Sequence, residues 1–272
     1  MMYEDFFGLQ RRPFSKTPDP AFLYRGRKHA EALTRLQFAC EERELMILTG
    51  EIGAGKTTLT RALVDELDED TYRVVLVINP RLSPLLLLQT LAERLEVVNP
   101  PRQRNRLLEA VQGRLFELDQ EGITPVLIID EAQMLPGKAV FDELRLLTNF
   151  QLDDRNLIAV LLVGQPELNK RLTHTSYRAL QQRVGIRYHL EALDQGEVRE
   201  YVDFRTRIAG RAMPIFTDDA VDTLYRFSGG IPRVINNLAG NALLIGFGRG
   251  EDPVGGSAIE DAAHELQLVP AG

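Results

Sequence analysis

Apolar residues along this chain follow two patterns, and the change between them falls near residue 193. Before it, short apolar runs alternate with stretches of helical period. The runs at 45–49, 73–78, 126–129 and 157–163, with a weaker one at 186–190, predict strands. Val74–Ile78, Val126–Ile129 and Ile158–Val163 carry no polar position, which predicts strands buried on both faces in a parallel sheet covered by helices. A helix is expected near Arg27–Glu42. Residues 1–26, aromatic and with prolines at 13, 18 and 20, read as irregular. After Leu193 the strand signal ends. Helical patterns near 194–209, 217–227, 231–247 and 256–267 are separated by breaks at Gly210, at Gly229-Gly230 and across 248–256. The expected architecture is α/β, a sheet domain over 1–193 sandwiched by helices, then a small all-helical lid over 194–268.

The segment joining the first run to its helix carries the chemistry. Leu45–Thr49 leads into Gly50, Glu51, Ile52, Gly53, Ala54, Gly55, Lys56 and Thr57, and Thr58 continues into an amphipathic helix. A phosphate-binding loop needs this strand-to-helix setting. Its glycines allow amides to turn inward around a phosphate, and the helix start adds positive potential. Lys56 is placed for the β and γ phosphates of ATP and the Thr57 hydroxyl for Mg²⁺. The apolar run Val126–Ile129 ends in Asp130 and Glu131. Asp130 is placed to hold Mg²⁺ through water, and Glu131 to act as general base on the attacking water. Two acids after a strand can also be a solvated turn; behind a phosphate loop the functional reading is preferred. Gln165 follows the next run. If that strand lies between those leading to Lys56 and Asp130, Gln165 approaches the γ-phosphate; otherwise it ends a strand before Pro166.

Two further stretches that carry arginine draw attention. Lys170–Arg187 holds five cations and no acid, a pattern of solvated helix faces. In an ATPase with a helical cap it is also where an arginine can serve a neighbouring subunit's nucleotide, an effect of ~10³–10⁵ in rate. Arg183, just before the last strand, is the first choice, followed by Arg187 and Arg178. In Gly230-Ile-Pro-Arg233 the proline suits a first helical turn. Arg233 then sits against the helix dipole, a cost that favours a phosphate-facing role.

Composition narrows the setting. The 272 residues suit a large domain plus a small one. A net charge of −7 opposes whole-surface attraction to nucleic acid or anionic membrane, though not a local basic patch. Cys40 is the only cysteine, so no intramolecular disulfide forms, and it reads as a small buried side chain in a helix. His29, His174, His189 and His264 lack metal-ligand spacing. No apolar stretch approaches the ~20 residues that span a bilayer. The opening Met-Met-Tyr-Glu-Asp-Phe-Phe lacks the features of a signal peptide. A cytoplasmic location is expected, with any recruitment to the inner membrane left to another molecule.

These motifs together resemble an AAA+ ATPase, with Gln165 as first sensor and Pro232-Arg233 in the second. The chain is more closely similar to the general secretion pathway protein A (ExeA-type) family. The matching segments are Tyr3–Leu9, Pro13–Tyr24, Asp130-Glu-Ala-Gln133, Gly164–Leu168, Gln182-Arg183 and Gly230–Asn236. DNA-transposition ATPases are similar in the core without that opening. The resemblance implies a ring-forming homo-oligomer with nucleotide between subunits, and a segment 1–30 around the adenine. Tyr24, Arg27 and His29 are candidate base-side contacts, with packing an equal reading. Secretion members continue into a membrane span and a periplasmic domain, so this chain is expected to be either a cytoplasmic portion or a stand-alone relative. The resulting expectation is an ATPase serving an envelope or secretion partner. The alternative is a DNA-associated ATPase, with Arg81, Arg102, Arg104, Arg106, Arg114 and the loop Asn79–Pro84 as pore or phosphate contacts. A small-molecule kinase leaves Glu131 and the arginine-rich stretch without a task.

Overall fold

A computed structural model describes residues 3–15, 20–78, 80–153 and 155–271. Residues 16–19 of the opening segment and Asn79 of the 79–84 loop lie outside these. The elements run α1 (Tyr3–Phe6), α2 (Arg27–Glu41), β1 (Leu45–Gly50), α3 (Lys56–Glu66), β2 (Tyr72–Val77), α4 (Pro84–Arg94), α5 (Arg104–Gln120) and β3 (Thr124–Ile129). They continue α6 (Gly137–Leu147), β4 (Ala159–Gly164), α7 (Pro166–Leu172), α8 (Arg178–Gln181) and β5 (Val184–Leu190). Four helices complete the chain: α9 (Gln195–Ile208), α10 (Asp218–Ser228), α11 (Pro232–Arg249) and α12 (Gly256–Glu265). Two compact units result, one of residues 31–50 and 60–190, the other of 1–30, 51–59 and 191–272.

The first unit is built on a parallel five-stranded sheet of order β2-β3-β4-β1-β5. β1, β3 and β4 are buried at every position, as uninterrupted apolar runs require. The 73–78 run behaves otherwise: β2 is an edge strand, only half-buried, and Ile78 beyond its end is 60% exposed. The 157–163 run also starts its ladder late. Leu157 and Ile158 are buried, but Leu157 N–H bonds the Phe150 carbonyl at 2.9 Å instead of joining the sheet. Leu87 and Leu91 of α4, Leu107 and Val111 of α5 and Phe141 and Leu144 of α6 pack into one core with Ile47, Leu127 and Leu162 of the strands. Cys40 is fully buried, and burial pushes its thiol up to about 12, as suits an inert apolar filler.

Two buried carboxylates of this unit are paired with arginines. Asp119 accepts from Arg155 at 3.0 Å and Arg43 at 2.5 Å, bonds that hold its carboxyl below the usual range. Glu143, 1% exposed, accepts from Arg104 at 2.5 Å. Arg114 is likewise committed to Glu117, Glu121 and the Leu95 carbonyl. Arg104 and Arg114, read from sequence as candidate phosphate or pore contacts, are thus ion-paired within the unit, Arg104 to a buried carboxylate and Arg114 to two exposed ones.

The second unit is helical, and the chain's first residues complete its core. Phe7, Leu9, Phe14 and Phe22 pack with Val202, Leu224, Leu238 and Ile259. Residues 3–6 form a helical turn where irregular chain was expected, closed by Phe7 N–H on the Tyr3 carbonyl, with the Phe7 ring 1% exposed. Buried Arg205 donates to the Pro13 carbonyl at 2.6 Å and to the Tyr201 hydroxyl at 2.9 Å, tying the opening segment to α9. α9 opens on a reciprocal capping box of Asp194 and Glu197. Gly230, at φ +75°, approaches Leu193 so closely that a Cβ would fall 1.8 Å from its carbonyl oxygen, which fixes where α11 begins. Among the described residues no helix is long and apolar enough to cross a membrane.

Candidate functional site

The loop after β1 has the backbone of an anion cradle. Gly53 and Gly55 have φ of +87° and +103°, a region that side-chain-bearing residues rarely occupy. Their surroundings also exclude a side chain. A Cβ on Gly53 would lie 2.5 Å from Arg233 Cβ, and one on Gly55 3.0 Å from His29 Nε2. At the strand end, a Cβ on Gly50 would meet the Leu190 carbonyl at 2.7 Å. The Ala54 N–H turns back to the Glu51 carbonyl at 3.1 Å, and α3 starts at Lys56. Lys56 is 6% exposed and its Nζ donates to the Glu51 carbonyl at 2.9 Å. Glu51 and Ile52 are exposed, Thr57 and Thr58 half-buried. Amides in this arrangement at a helix start, with a lysine among them, suit a phosphate chain. The Thr57 hydroxyl is a hard oxygen donor suited to magnesium.

The same unit brings three of the sequence candidates to this loop. Pro232 opens α11 and is buried, and the Arg233 backbone N–H donates to the Gly53 carbonyl at 3.2 Å. His29, 5% exposed, has Nε2 3.1 Å from the Ala54 carbonyl. A carbonyl only accepts, so Nε2 carries the hydrogen and Nδ1, buried without a partner, is the bare nitrogen. Burial holds the ring's pKa below its ordinary value, against a smaller opposing effect of the Ala54 bond. The ring thus stays neutral at neutral pH. Tyr24 instead turns into the helical unit: its hydroxyl donates to Glu200 at 2.5 Å and its ring packs edge-on against Tyr201 at 5.8 Å. Arg27 is exposed. Lys28, which sequence reading passed over, anchors the start of α2 by donating to the Ala192 carbonyl at 2.7 Å.

A second cluster lies at the strand tips of the sheet unit. β4 does lie between β3 and β1, so Gln165 follows the strand flanked by those leading to Asp130 and to the phosphate loop. Asp130 is 3% exposed and its Oδ1 accepts the Glu131 N–H at 2.9 Å. Glu131 has left-handed backbone angles, φ 54° and ψ 38°, unusual outside glycine. Its Oε2 accepts from Gln165 Nε2 at 3.1 Å and from Gln133 Nε2 at 2.6 Å. Gln133 was legible only as part of a family segment. Its signal was an amide two residues beyond a candidate base, but spacing alone does not show whether it turns back. Arg171 braces the turn that carries it, donating to the Gln133 carbonyl at 3.2 Å and the Leu135 carbonyl at 2.6 Å while covering the Phe141 ring at 4.8 Å.

Arg183 belongs to neither cluster. It precedes Val184, which is in register with Leu45 at the start of β1, whereas the phosphate loop leaves β1 at Gly50. Five strand residues separate these levels, roughly 16 Å at the strand rise. Arg183 is exposed, as are Arg178 and Arg187, the latter in register with Ile47 midway along β1.

An AAA-domain family model matches residues 40–172. General secretion pathway protein A of Aeromonas hydrophila is 40% identical over 98% of this chain, and the chain spans 49% of that protein's length. Among solved structures, the ORC2 protein of Aeropyrum pernix, determined as ADPNP and ADP complexes, aligns over 94% of this chain and 71% of its own, with a TM-score of 0.68 at 19% identity. RuvB of Thermotoga maritima, a Holliday junction branch migration motor, aligns over 89% and 70% respectively, with a TM-score of 0.59 at 20% identity. At those identities the likeness is one of fold, and it agrees with a parallel sheet flanked by helices and followed by a helical region.

Proposed function

The chain belongs to the AAA+ ATPases of the general secretion pathway protein A family, and on that premise we propose that it is an oligomeric, Mg²⁺-dependent ATP hydrolase that drives assembly or remodelling of an envelope or secretion-associated partner. The observation that carries this reading is the packing of α11 on the phosphate loop, through the Arg233 N–H and the Gly53 carbonyl. A loop that changes shape around nucleotide thereby acts directly on the helical unit. Gly50–Thr58 bind the phosphates, with Lys56 as the charged donor. Magnesium, when bound, offsets phosphate charge, and Thr57 and Asp130 carry the oxygens suited to it. Glu131 takes the proton of the attacking water while Gln165 orients it. Arg233 reports nucleotide state to α11, and His29 supports the loop on the nucleotide side of the helical unit, while Tyr24 acts only through its packing within that unit. The chain works in the cytoplasm and is brought to the inner membrane by its partner.

The arginine acting on the γ-phosphate is supplied by a neighbouring subunit. Arg183 suits this role because it stands at the opposite end of β1 from the loop of its own chain. Arg183→Ala is expected to bind ATP normally and turn it over at least about a hundredfold more slowly. Mixing it with Lys56→Ala protein should restore part of the turnover, because one of the two orientations of a mixed interface pairs an intact loop with an intact arginine. Absence of rescue at any mixing ratio would leave Arg183 with a local role only.

A second reading is supported by the fold shared with a branch migration motor: a DNA-loaded ATPase. Light-scattering mass of the wild-type chain with a slowly hydrolysed ATP analogue, with and without duplex DNA, separates the two. Assembly on nucleotide alone supports the protein-partner reading. Assembly that needs DNA and fades steeply as salt rises moves the function to nucleic acid.

A further inference from the structure

The cluster at the strand tips contains one amide that the proposed reaction leaves without a task. Gln133 makes three bonds in three directions. Its Nε2 donates to Glu131 Oε2 at 2.6 Å, its Oε1 accepts the Gln165 backbone N–H at 3.1 Å, and its own carbonyl accepts from Arg171 at 3.2 Å. Its side chain therefore joins the end of β3 to the end of β4 through the candidate base itself. The space around it is fitted closely. A Cβ on Gly164 would lie 2.8 Å from Gln133 Oε1, so the amide occupies room that any larger residue at 164 would take.

The pattern at the carboxylate is one-sided. Both amide donors, from Gln133 and Gln165, reach Oε2, and among the described residues Oε1 receives none. A carboxylate anchored by one oxygen has its rotation fixed and keeps the other oxygen's lone pairs for a proton. Glu131 needs such an anchor, because its left-handed backbone sets the direction in which the side chain leaves.

We propose that Gln133 is a positioning residue for ATP hydrolysis: it clamps Glu131 Oε2 so that Oε1 faces the water, and it locks Gln165 to the same frame through its backbone N–H. This rests on Glu131 being the general base. The Gln133 amide is engaged at its nitrogen by Glu131 and at its oxygen by the Gln165 backbone, so its loss should change the catalytic step and leave nucleotide affinity alone. A misplaced base costs about ten- to a hundredfold in rate.

The test is ATP turnover and nucleotide affinity of Gln133→Leu, which keeps the side chain's bulk and removes both amide bonds. The expected result is kcat lower by about ten- to a hundredfold, with Kd for nucleotide within about twofold of wild type. In a Glu131→Gln background the same change should produce no further loss in single-turnover rate, because the group being positioned is gone. Gly164→Ala, which crowds the Gln133 amide without removing it, should lower kcat in the same direction and covers the case in which Gln133→Leu folds poorly. Wild-type kcat in Gln133→Leu, or an undiminished loss in the Glu131→Gln background, would overturn the clamp. Wild-type turnover by Glu131→Gln itself would overturn the base assignment beneath it, a result distinct from failure of the clamp alone.

Discussion

Lys56→Ala is expected to lose measurable nucleotide binding. The lysine is 6% exposed, starts α3 and donates its ammonium to the Glu51 carbonyl, a setting with little water to screen the charge. Truncating one partner of a buried, hydrogen-bonded charge pair costs about 2–5 kcal/mol, equivalent to roughly thirty- to five-thousandfold in Kd. Titration with a fluorescent ATP analogue reads this directly. Lys56 also donates to the Glu51 carbonyl, so the variant loses one internal hydrogen bond. That loss is worth about 1 kcal/mol and should appear as a Tm lower by a few degrees with a cooperative transition intact. A folded variant that still binds ATP with wild-type affinity would show that the loop is a structural turn. Lys56→Arg is an informative companion. It keeps the charge but presents a broader head in a loop already crowded by Arg233 and His29, and it is expected to bind weakly instead of not at all.

Much of this was readable from residue order because the features concerned are local. A phosphate loop is a strand, eight residues and a helix, and each part writes its own signature. β1, β3 and β4 were legible as uninterrupted apolar runs because they are buried on both faces. β2 misled for the opposite reason. Its composition matches a central strand, but its place at the sheet edge leaves Ile78 in solvent, and position within a sheet is not encoded in a strand's own residues. The arginines divide in the same way. Arg104 and Arg114 looked available because their acidic partners are either distant in sequence, as Glu143 is, or on a helix face shared with them, as Glu117 and Glu121 are. His29 stood out in the sequence only as a candidate base-side contact, whereas its bond to Ala54 depends on how the start of α2 meets the loop. Gln133 lay furthest from sequence reasoning, because its meaning depends on β3 and β4 being neighbours and on a backbone angle at Glu131 that no propensity favours.

Glu131→Gln should separate nucleotide binding from hydrolysis more cleanly than any other single change. The replacement is nearly isosteric, and its amide oxygen can still accept from Gln133 and Gln165, which at present donate to Oε2 at 2.6 and 3.1 Å. The strand-tip cluster should therefore keep its shape, and ATP affinity should stay within about twofold of wild type because the phosphate-binding groups are untouched. What disappears is the ability to take a proton from water, a contribution of about 10²–10⁴ in rate. Turnover should fall by that factor while ATP stays bound. If nucleotide sits between subunits, stalled hydrolysis also holds the assembled state, since the species that would release it, ADP and phosphate, no longer forms. Light scattering of this variant with ATP should then give a stable mass several times that of one chain, where the wild type gives a mass that decays as ATP is consumed. Turnover within tenfold of wild type would remove Glu131 from the role of base. Stalled turnover with a mass that stays at one chain would keep the chemistry and remove the assembly, leaving an ATPase whose conformational work is done by a single subunit.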